Sequence, residues 1–182
     1  MGLFLQTAII QNCDETKARE VLAKVAKQNA AFELVLEECQ FKERKSGVNI
    51  LFNEGCVGFD ELAQNISREI MKPVLLLYIY DEDFWGYYFY ENDTQIDYFQ
   101  PMPDYFEEIS EEEEAAKAEG NAVLLSKYFS VPEDSIVKYL GIWSEEMMDA
   151  YDEKAYEDDE FGQCDCWQMA DFMNKLGYPY EW

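Results

Sequence analysis

The 182-residue chain contains no histidine. Histidine is the usual general base near neutral pH and the commonest transition-metal ligand in proteins. Its absence excludes Ser-His-Asp and Cys-His catalysis. Catalysis by carboxylates or by lysine stays open.

Long apolar runs and a basic leader are also missing. No apolar run reaches the ~18 residues that a membrane-spanning helix needs. The opening residues, MGLFLQTAII, lack the basic stretch of a secretory signal. The five cysteines are odd in number and irregularly spaced, which favours reduced thiols. We therefore expect a cytoplasmic protein with no membrane-spanning segment.

Basic residues are scarce and unevenly placed. Residues 1–72 carry nine Lys/Arg and eleven Asp/Glu, a net charge of -2, whereas residues 73–182 carry five and twenty-eight, a net charge of -23. Lys72 and Lys117 have no basic residue between them. Such a charge repels nucleic acids and anionic membranes, so the expected partner is a basic protein. Acidity that only aids solubility is the plainer alternative.

What the chain does contain predicts a folded core, because 48% of its residues are hydrophobic and 16% are aromatic. The hydrophobic pattern alternates between strand and helix periods. In order, it predicts a strand over Leu3–Ile10, a helix over Ala18–Asn29, strands over Phe32–Phe41 and Val48–Phe52, a helix over Phe59–Ile70, and a strand over Val74–Tyr80. This order is typical of an α+β split βαβ, or ferredoxin-like, antiparallel-rich sheet.

The rest of the chain extends this sheet and then becomes helical. Strands over Phe84–Tyr90 and Thr94–Phe99 form a predicted hairpin. Capping signatures at Ser110 and Ser130, and Asp165 further on, predict helix starts. We expect residues 1–106 to form a sheet domain and residues 107–182 a helical C-terminal part, packed together as one structural unit.

The stretch YDEDFWGYYFYENDTQIDYFQPMPDYF, residues 80–106, resembles a motif of mainly bacterial α+β proteins of uncharacterised activity. In this motif an Asp-x-Asp step precedes an aromatic strand, a turn, an Asp-x-aromatic step and a Pro-x-Tyr-Phe step. The matching residues are Asp81, Asp83, Trp85, Asp97, Phe99, Pro103, Tyr105 and Phe106, and GNAVLLSKYFSVPEDSIVKYL resembles the helical segment that follows. The resemblance covers residues 48–143 and implies a fold and a bacterial origin. Those proteins carry Gly in the hairpin turn, where this chain has Asn92 and Asp93.

The same stretch suggests a function, because it holds eleven aromatic residues and seven carboxylates without one Lys or Arg. One face of its aromatic strand should meet the core helices, and either the C-terminal helices or a partner covers the other face. Tyr and Trp are enriched at interface hot spots, so we predict a non-enzymatic acidic protein-binding factor, of the immunity or inhibitor type, for a basic partner. The candidate contact residues are Asp81, Asp83, Trp85, Tyr87, Asp97, Asp104 and Tyr105.

Two other functional classes stay open, and carboxylate and cysteine groups are further candidates for metal binding. A carboxylate-dependent hydrolase of a neutral or cationic small molecule would use a pair of the same carboxylates, and a regulatory or scaffolding domain is the third functional class. Asp81–Asp83 and Glu157–Glu160 offer oxygen ligands for Ca²⁺ or Mg²⁺, although neither fits an EF-hand loop. Cys164 and Cys166 form a C-x-C pair that lacks a second Cys or His pair nearby. We predict no catalytic residue, cofactor or metal.

Overall fold

Six β-strands form an antiparallel sheet in an α+β fold. The computed structural model describes residues 2–110, 120–150 and 152–182. The strands are β1 Leu5–Gln11, β2 Gln40–Arg44, β3 Gly47–Leu51, β4 Val74–Tyr80, β5 Phe84–Glu91 and β6 Thr94–Phe99. The helices are α1 Glu15–Gln28, α2 Phe59–Ile70, α3 Ala122–Phe129, α4 Glu145–Asp149 and α5 Gln168–Lys175. The strand order across the sheet is β2-β3-β1-β4-β5-β6.

Local sequence explains where the two long helices begin and end. Asp14 caps α1, since its carboxylate accepts a hydrogen bond of 2.7 Å from the Lys17 N–H. Gly58 precedes α2 with φ 80°, and a Cβ there would lie 2.8 Å from the Phe32 ring. Met71 ends α2 in the left-handed conformation, just before Pro73.

Antiparallel pairing fixes the register of the first three strands. Ile9 of β1 lies opposite Asn49 of β3, and Glu43 of β2 lies opposite Val48. Both β1 and β3 are almost wholly buried, whereas no residue of β2 is buried, as expected at a sheet edge. This exposure agrees with the position of β2 at one end of the strand order.

The predicted second strand, Phe32–Phe41, was wrong over most of its length. Ala30–Phe32 forms a 3₁₀ turn instead, Glu33 adopts φ 51°, and the strand begins only at Gln40. The Asn53 side chain accepts from the Val35 N–H at 2.8 Å and donates to the Glu33 carbonyl at 3.0 Å. A buried amide thus satisfies backbone groups that a strand would pair in a ladder.

A predicted helix after Ser130 was also wrong, because Ser130 ends α3 in the left-handed conformation and two 3₁₀ turns follow, Glu133–Ser135 and Val137–Tyr139. The helix predicted from the Ser110 signature falls on residues 111–119, outside the described residues. The last helix begins at Gln168 rather than Asp165.

The chain divides into two compact units. One comprises residues 1–3, 79–86 and 98–181; the other comprises residues 4–78, 87–97 and 182. In the first unit the core forms around Trp85, Tyr139 and Phe172. In the second, α1 packs on α2 beside the buried strands β1 and β3. The division expected at residue 106 stays a prediction.

Candidate functional site

The turn between β4 and β5 carries three consecutive carboxylates. Asp81 and Glu82 both have positive φ, 50° and 66°, and the Asp83 N–H donates to the Tyr80 carbonyl at 2.9 Å. A turn whose two central residues have positive φ and whose end residues share such a hydrogen bond is a type I′ hairpin turn. The side chains of Glu82 and Asp83 are exposed, and Asp81 is half-buried.

The N-terminal segment fixes this turn. The Gly2 N–H donates to Asp81 Oδ1 at 3.0 Å, and the Glu82 N–H donates to the Leu3 carbonyl at 2.9 Å. A Cβ on Gly2 would lie 2.2 Å from the Asp81 carbonyl oxygen, so only glycine fits there. One oxygen of Asp81 is therefore held in place.

Four aromatic rings pack beside the turn, and we call them the aromatic cluster: Tyr80, Phe84, Tyr105 and Phe106. The Phe106 ring meets those of Tyr80 and Tyr105 edge to face, each at a centroid distance of 5.0 Å. Phe84 at the base is fully buried, whereas Phe106 is 61% exposed. The cluster thus runs from the protein interior to an exposed ring.

A hydrogen bond joins the aromatic cluster to the acidic turn. The Tyr105 hydroxyl donates to Asp83 Oδ2 at 2.5 Å. This bond to a carboxylate raises the pKa of Tyr105 to about 12, because the neutral phenol is the donor. One oxygen of Asp83 is therefore also held.

Together these groups form what we call the aromatic–acidic surface. We define its centre as the exposed face of Phe106. We define its rim as the carboxylates of the turn and those next to Tyr105 and Phe106 in the chain, which have no basic residue among them. The rim comprises Asp81, Glu82, Asp83, Asp104, Glu107 and Glu108, all exposed except the half-buried Asp81.

The structure brings together three of the seven predicted contact residues, Asp81, Asp83 and Tyr105, and leaves Asp104 exposed next to Tyr105 in the chain. Trp85 and Tyr87, in contrast, have no exposed surface.

Trp85 packs against Phe99 and Phe172 at centroid distances of 5.1 Å, and its Nε1–H donates to Gln168 Oε1. α5, which carries Phe172 and Gln168, therefore covers this ring, and Trp85 is left out of the proposed contact surface.

Tyr87 and Asp97 form a pair in the other compact unit. The Tyr87 hydroxyl donates to Asp97 Oδ2 at 2.6 Å, and Asp97 is half-buried. The pair satisfies a buried phenol, as buried polar groups require. Tyr87 is also left out of the proposed surface because its side chain is buried.

Sequence reasoning missed Phe106 as a contact residue. The signal was present, because Phe106 directly follows Tyr105 at the end of the two-proline connector QPMPDYF. Asp104, Glu107 and Glu108 lie beside this ring in the chain, and charged neighbours favour a surface position for the segment. Its exposed fraction makes it the strongest apolar anchor in the aromatic–acidic surface.

A cleft of about 400 Å³ adjoins the same acidic turn, lined by Glu82, Cys164, Asp165, Cys166 and Trp167. Burial raises the pKa of the Cys164 thiol to about 11. Burial, with the charges of Asp165 and Glu82, raises that of Cys166 to about 12. Both thiols therefore stay protonated at neutral pH and are poor nucleophiles. Nowhere in residues 2–110, 120–150 and 152–182 do three His, Cys, Asp or Glu side chains converge to hold a metal ion.

Two buried carboxylates organise the acidic segment before α5, and neither was predicted. The side chain of Asp159 has no exposed surface; it accepts from the Tyr139 hydroxyl at 2.5 Å and from the Tyr156 N–H at 2.9 Å. The Lys175 ammonium lies 3.7 Å from its Oδ1.

Asp171 accepts hydrogen bonds from the N–H groups of Glu160 and Phe161. Burial raises the pKa of Asp171, although these two hydrogen bonds act to lower it. Asp159 and Asp171 thus accept hydrogen bonds from the chain itself. Within Glu157–Glu160, Asp159 therefore places its carboxylate among groups of the chain itself.

No protein-family model, curated protein or solved structure matches this chain. No helix within the described part is long and apolar enough to cross a membrane. A functional assignment therefore has to come from the geometry of the aromatic–acidic surface.

Proposed function

We propose that this protein is a non-enzymatic binding factor that captures a basic protein on the aromatic–acidic surface, in the manner of an immunity or inhibitor protein. The observation that carries the proposal is the 61% exposed ring of Phe106, which packs on the rings of Tyr80 and Tyr105 while the Tyr105 hydroxyl binds the carboxylate of Asp83. An apolar centre with a polar rim is the common anatomy of protein interfaces.

The exposed part of Phe106 is large enough to act as an anchor. A Phe side chain has about 200 Å² of surface, so covering its 61% exposed fraction removes about 120 Å² from water. At about 25 cal/mol/Å² this gives roughly 3 kcal/mol before the costs of association. Residues that contribute 2 kcal/mol or more are the ones that dominate interfaces.

The rim supplies selectivity and association rate rather than most of the affinity. Carboxylates around the ring attract a basic surface from a distance and repel acidic competitors. Neighbouring rings hold Phe106 and a hydrogen bond holds Tyr105, so little side-chain freedom is lost on binding.

We propose further that residues 5–80 form a ferredoxin-like split βαβ unit. The strand order β2-β3-β1-β4 and the antiparallel pairing of β1 with β3 support this topology. A bacterial, cytoplasmic protein is also part of the proposal. The sequence resemblance supports a bacterial origin. The five free cysteines support a reducing compartment such as the cytoplasm.

The test is capture from a lysate followed by binding with purified components. The immobilised wild-type protein is compared with Phe106→Ser and with Val123→Ser, which alters an exposed apolar residue of α3 instead. A basic protein should bind stoichiometrically at low salt and be released at high salt. After purification it should bind wild type and Val123→Ser alike but bind Phe106→Ser at least about tenfold more weakly, since most of the anchor's area is lost. A partner that binds both variants equally contradicts the proposal, and so does failure to capture any basic protein.

A further inference from the structure

We infer that the group received by the aromatic–acidic surface is the guanidinium of an arginine, an inference that rests on the proposed function. The surface offers an aromatic face at its centre and acceptor oxygens at its edge. A guanidinium is planar, can stack on a ring, and carries five N–H donors around its edge. An ammonium is a compact, strongly hydrated charge that gains less from a ring face.

The acceptors on the rim are already oriented. Gly2 holds Oδ1 of Asp81, and the Tyr105 hydroxyl holds Oδ2 of Asp83. Within the described residues the structure gives no partner to the second oxygen of either carboxylate, so each presents one acceptor. Oriented carboxylates favour charge-assisted hydrogen bonds with a rigid donor array.

The chain itself uses the same chemistry elsewhere. The Arg19 guanidinium carbon lies 3.9 Å from the centre of the Phe41 ring, while its Nε donates to Glu15 Oε1 at 2.7 Å. The lysine ammonium groups that approach aromatic rings in this protein lie farther away, at 4.9 to 5.7 Å. A phenylalanine face with a neighbouring carboxylate thus takes arginine in close contact in this same structure.

Other occupants fit less well. Phosphate-bearing ligands are repelled by six carboxylates, and the net charge of -25 opposes a second copy of the chain. An apolar segment without charge would partly desolvate the carboxylates of Asp81 and Asp83 without supplying a cation, which is costly.

Isothermal titration with three synthetic peptides tests the inference. The peptides are identical Gly/Ser sequences carrying three arginines, three lysines or three citrullines, the last being neutral analogues of arginine. With wild-type protein the arginine peptide should bind about fivefold more tightly than the lysine peptide, and the citrulline peptide should not bind. Phe106→Ser should reduce the arginine preference to less than about twofold, because the ring face is gone.

Charge variants separate ring stacking from general attraction. Asp81→Asn with Asp83→Asn should weaken the arginine peptide by more than Glu37→Gln with Glu38→Gln, an equal charge change at exposed sites elsewhere. Circular dichroism melts confirm that each variant is folded. Asparagine suits the positive φ of Asp81, so the turn should persist.

The outcomes distinguish the two claims. If lysine and arginine peptides bind equally and both depend on Phe106, the arginine inference is overturned and the proposed function stands. If neither peptide depends on Phe106, or no peptide binds at millimolar concentration, both the inference and the assignment of the surface are overturned. An arginine preference lost in Phe106→Ser but kept in Glu37→Gln with Glu38→Gln supports both.

Discussion

Two tyrosine–aspartate hydrogen bonds in this protein have the same length but different surroundings. Tyr139 donates to Asp159 at 2.5 Å inside the first compact unit, and Tyr105 donates to Asp83 at 2.5 Å in an exposed position. Tyr139 is 1% exposed. We predict that Tyr139→Phe destabilises the protein strongly, whereas Tyr105→Phe does not change its stability measurably.

The expected loss of stability in Tyr139→Phe follows from the hydrogen bond that the buried carboxylate of Asp159 loses. Removing a hydrogen bond to a buried charged group costs about 1.5–3 kcal/mol. Asp159 keeps the Tyr156 N–H and the nearby Lys175 ammonium, so we expect a value near 2 kcal/mol. With a urea m-value of about 2 kcal/mol/M, the unfolding midpoint should fall by about 1 M. Water replaces the lost donor at Asp83 because that carboxylate is exposed.

Tryptophan fluorescence during urea unfolding measures the difference. Three of the four tryptophans, Trp85, Trp143 and Trp167, lie in the same compact unit as both tyrosines. Equal midpoint shifts for the two variants, or none for Tyr139→Phe, would refute the reasoning that burial sets the cost.

A pH dependence accompanies the Tyr139 prediction. Burial first, and then the bond to Asp159, raise the pKa of Tyr139 above the usual value near 10. Above pH 10 the unfolded chain loses this proton while the folded one keeps it, so stability falls as pH rises. Tyr139→Phe should show a shallower fall between pH 10 and 11 than wild type.

Three further predictions concern glycine, the thiols and salt. Gly58→Ala should destabilise the protein by more than Gly55→Ala, because both glycines have positive φ but only a Cβ at Gly58 would lie within 3 Å of a ring. Urea unfolding midpoints test this, and equal shifts for the two variants would contradict it. In native protein the buried thiols with raised pKa values should react with a disulfide reagent at pH 7.5 at least about tenfold more slowly than in urea. Rapid native labelling would contradict the buried placement. The thiols with raised values are those of Cys13, Cys39, Cys56, Cys164 and Cys166. Adding 0.5 M NaCl should raise the melting temperature, because salt screens a net charge of -25; an unchanged or lower melting temperature would contradict this.

Sequence reasoning located the elements that one strong pattern defines. β4 matches its predicted bounds because an unbroken apolar run of seven residues suits a strand buried on both faces. α2 matches because its apolar residues recur with the helical period between Gly58 and Pro73. β2 was misplaced because the competing hydrogen bonds come from Asn53, a residue distant in the chain whose side-chain direction no local pattern encodes.

The candidate site was predicted in composition but not in arrangement. The acidic turn and Tyr105 were named from the sequence, and the structure joins them through one hydrogen bond. Trp85 could not be assigned, because either α5 or a partner would satisfy the same strand pattern. Only tertiary structure shows that Phe172 and Gln168 cover it.

The two hairpin turns show why residue type alone misleads. Asn92 and Asp93 have φ 48° and 73°, so the second turn adopts the geometry that glycine would favour. Contacts from α2 stabilise it: Ser67 Oγ accepts from the Asp93 N–H at 3.0 Å, and Arg68 pairs with the Asp93 carboxylate at 2.7 Å. Asn and Asp also tolerate the left-handed conformation.

The first turn is different, because Glu82 has no such preference for φ 66°. Its backbone is held by Leu3 and the neighbouring Asp81 by Gly2, so contacts from outside the turn maintain an unfavourable conformation. Strained residues are retained where the surrounding structure needs their placement, and they cluster at functional sites. The strain lies in the turn that carries Asp81 and Asp83, the two oriented carboxylates of the aromatic–acidic surface. A Glu82→Gly variant should therefore be more stable in urea yet bind the arginine peptide less tightly. A gain in stability without a loss of binding would place the surface's function elsewhere.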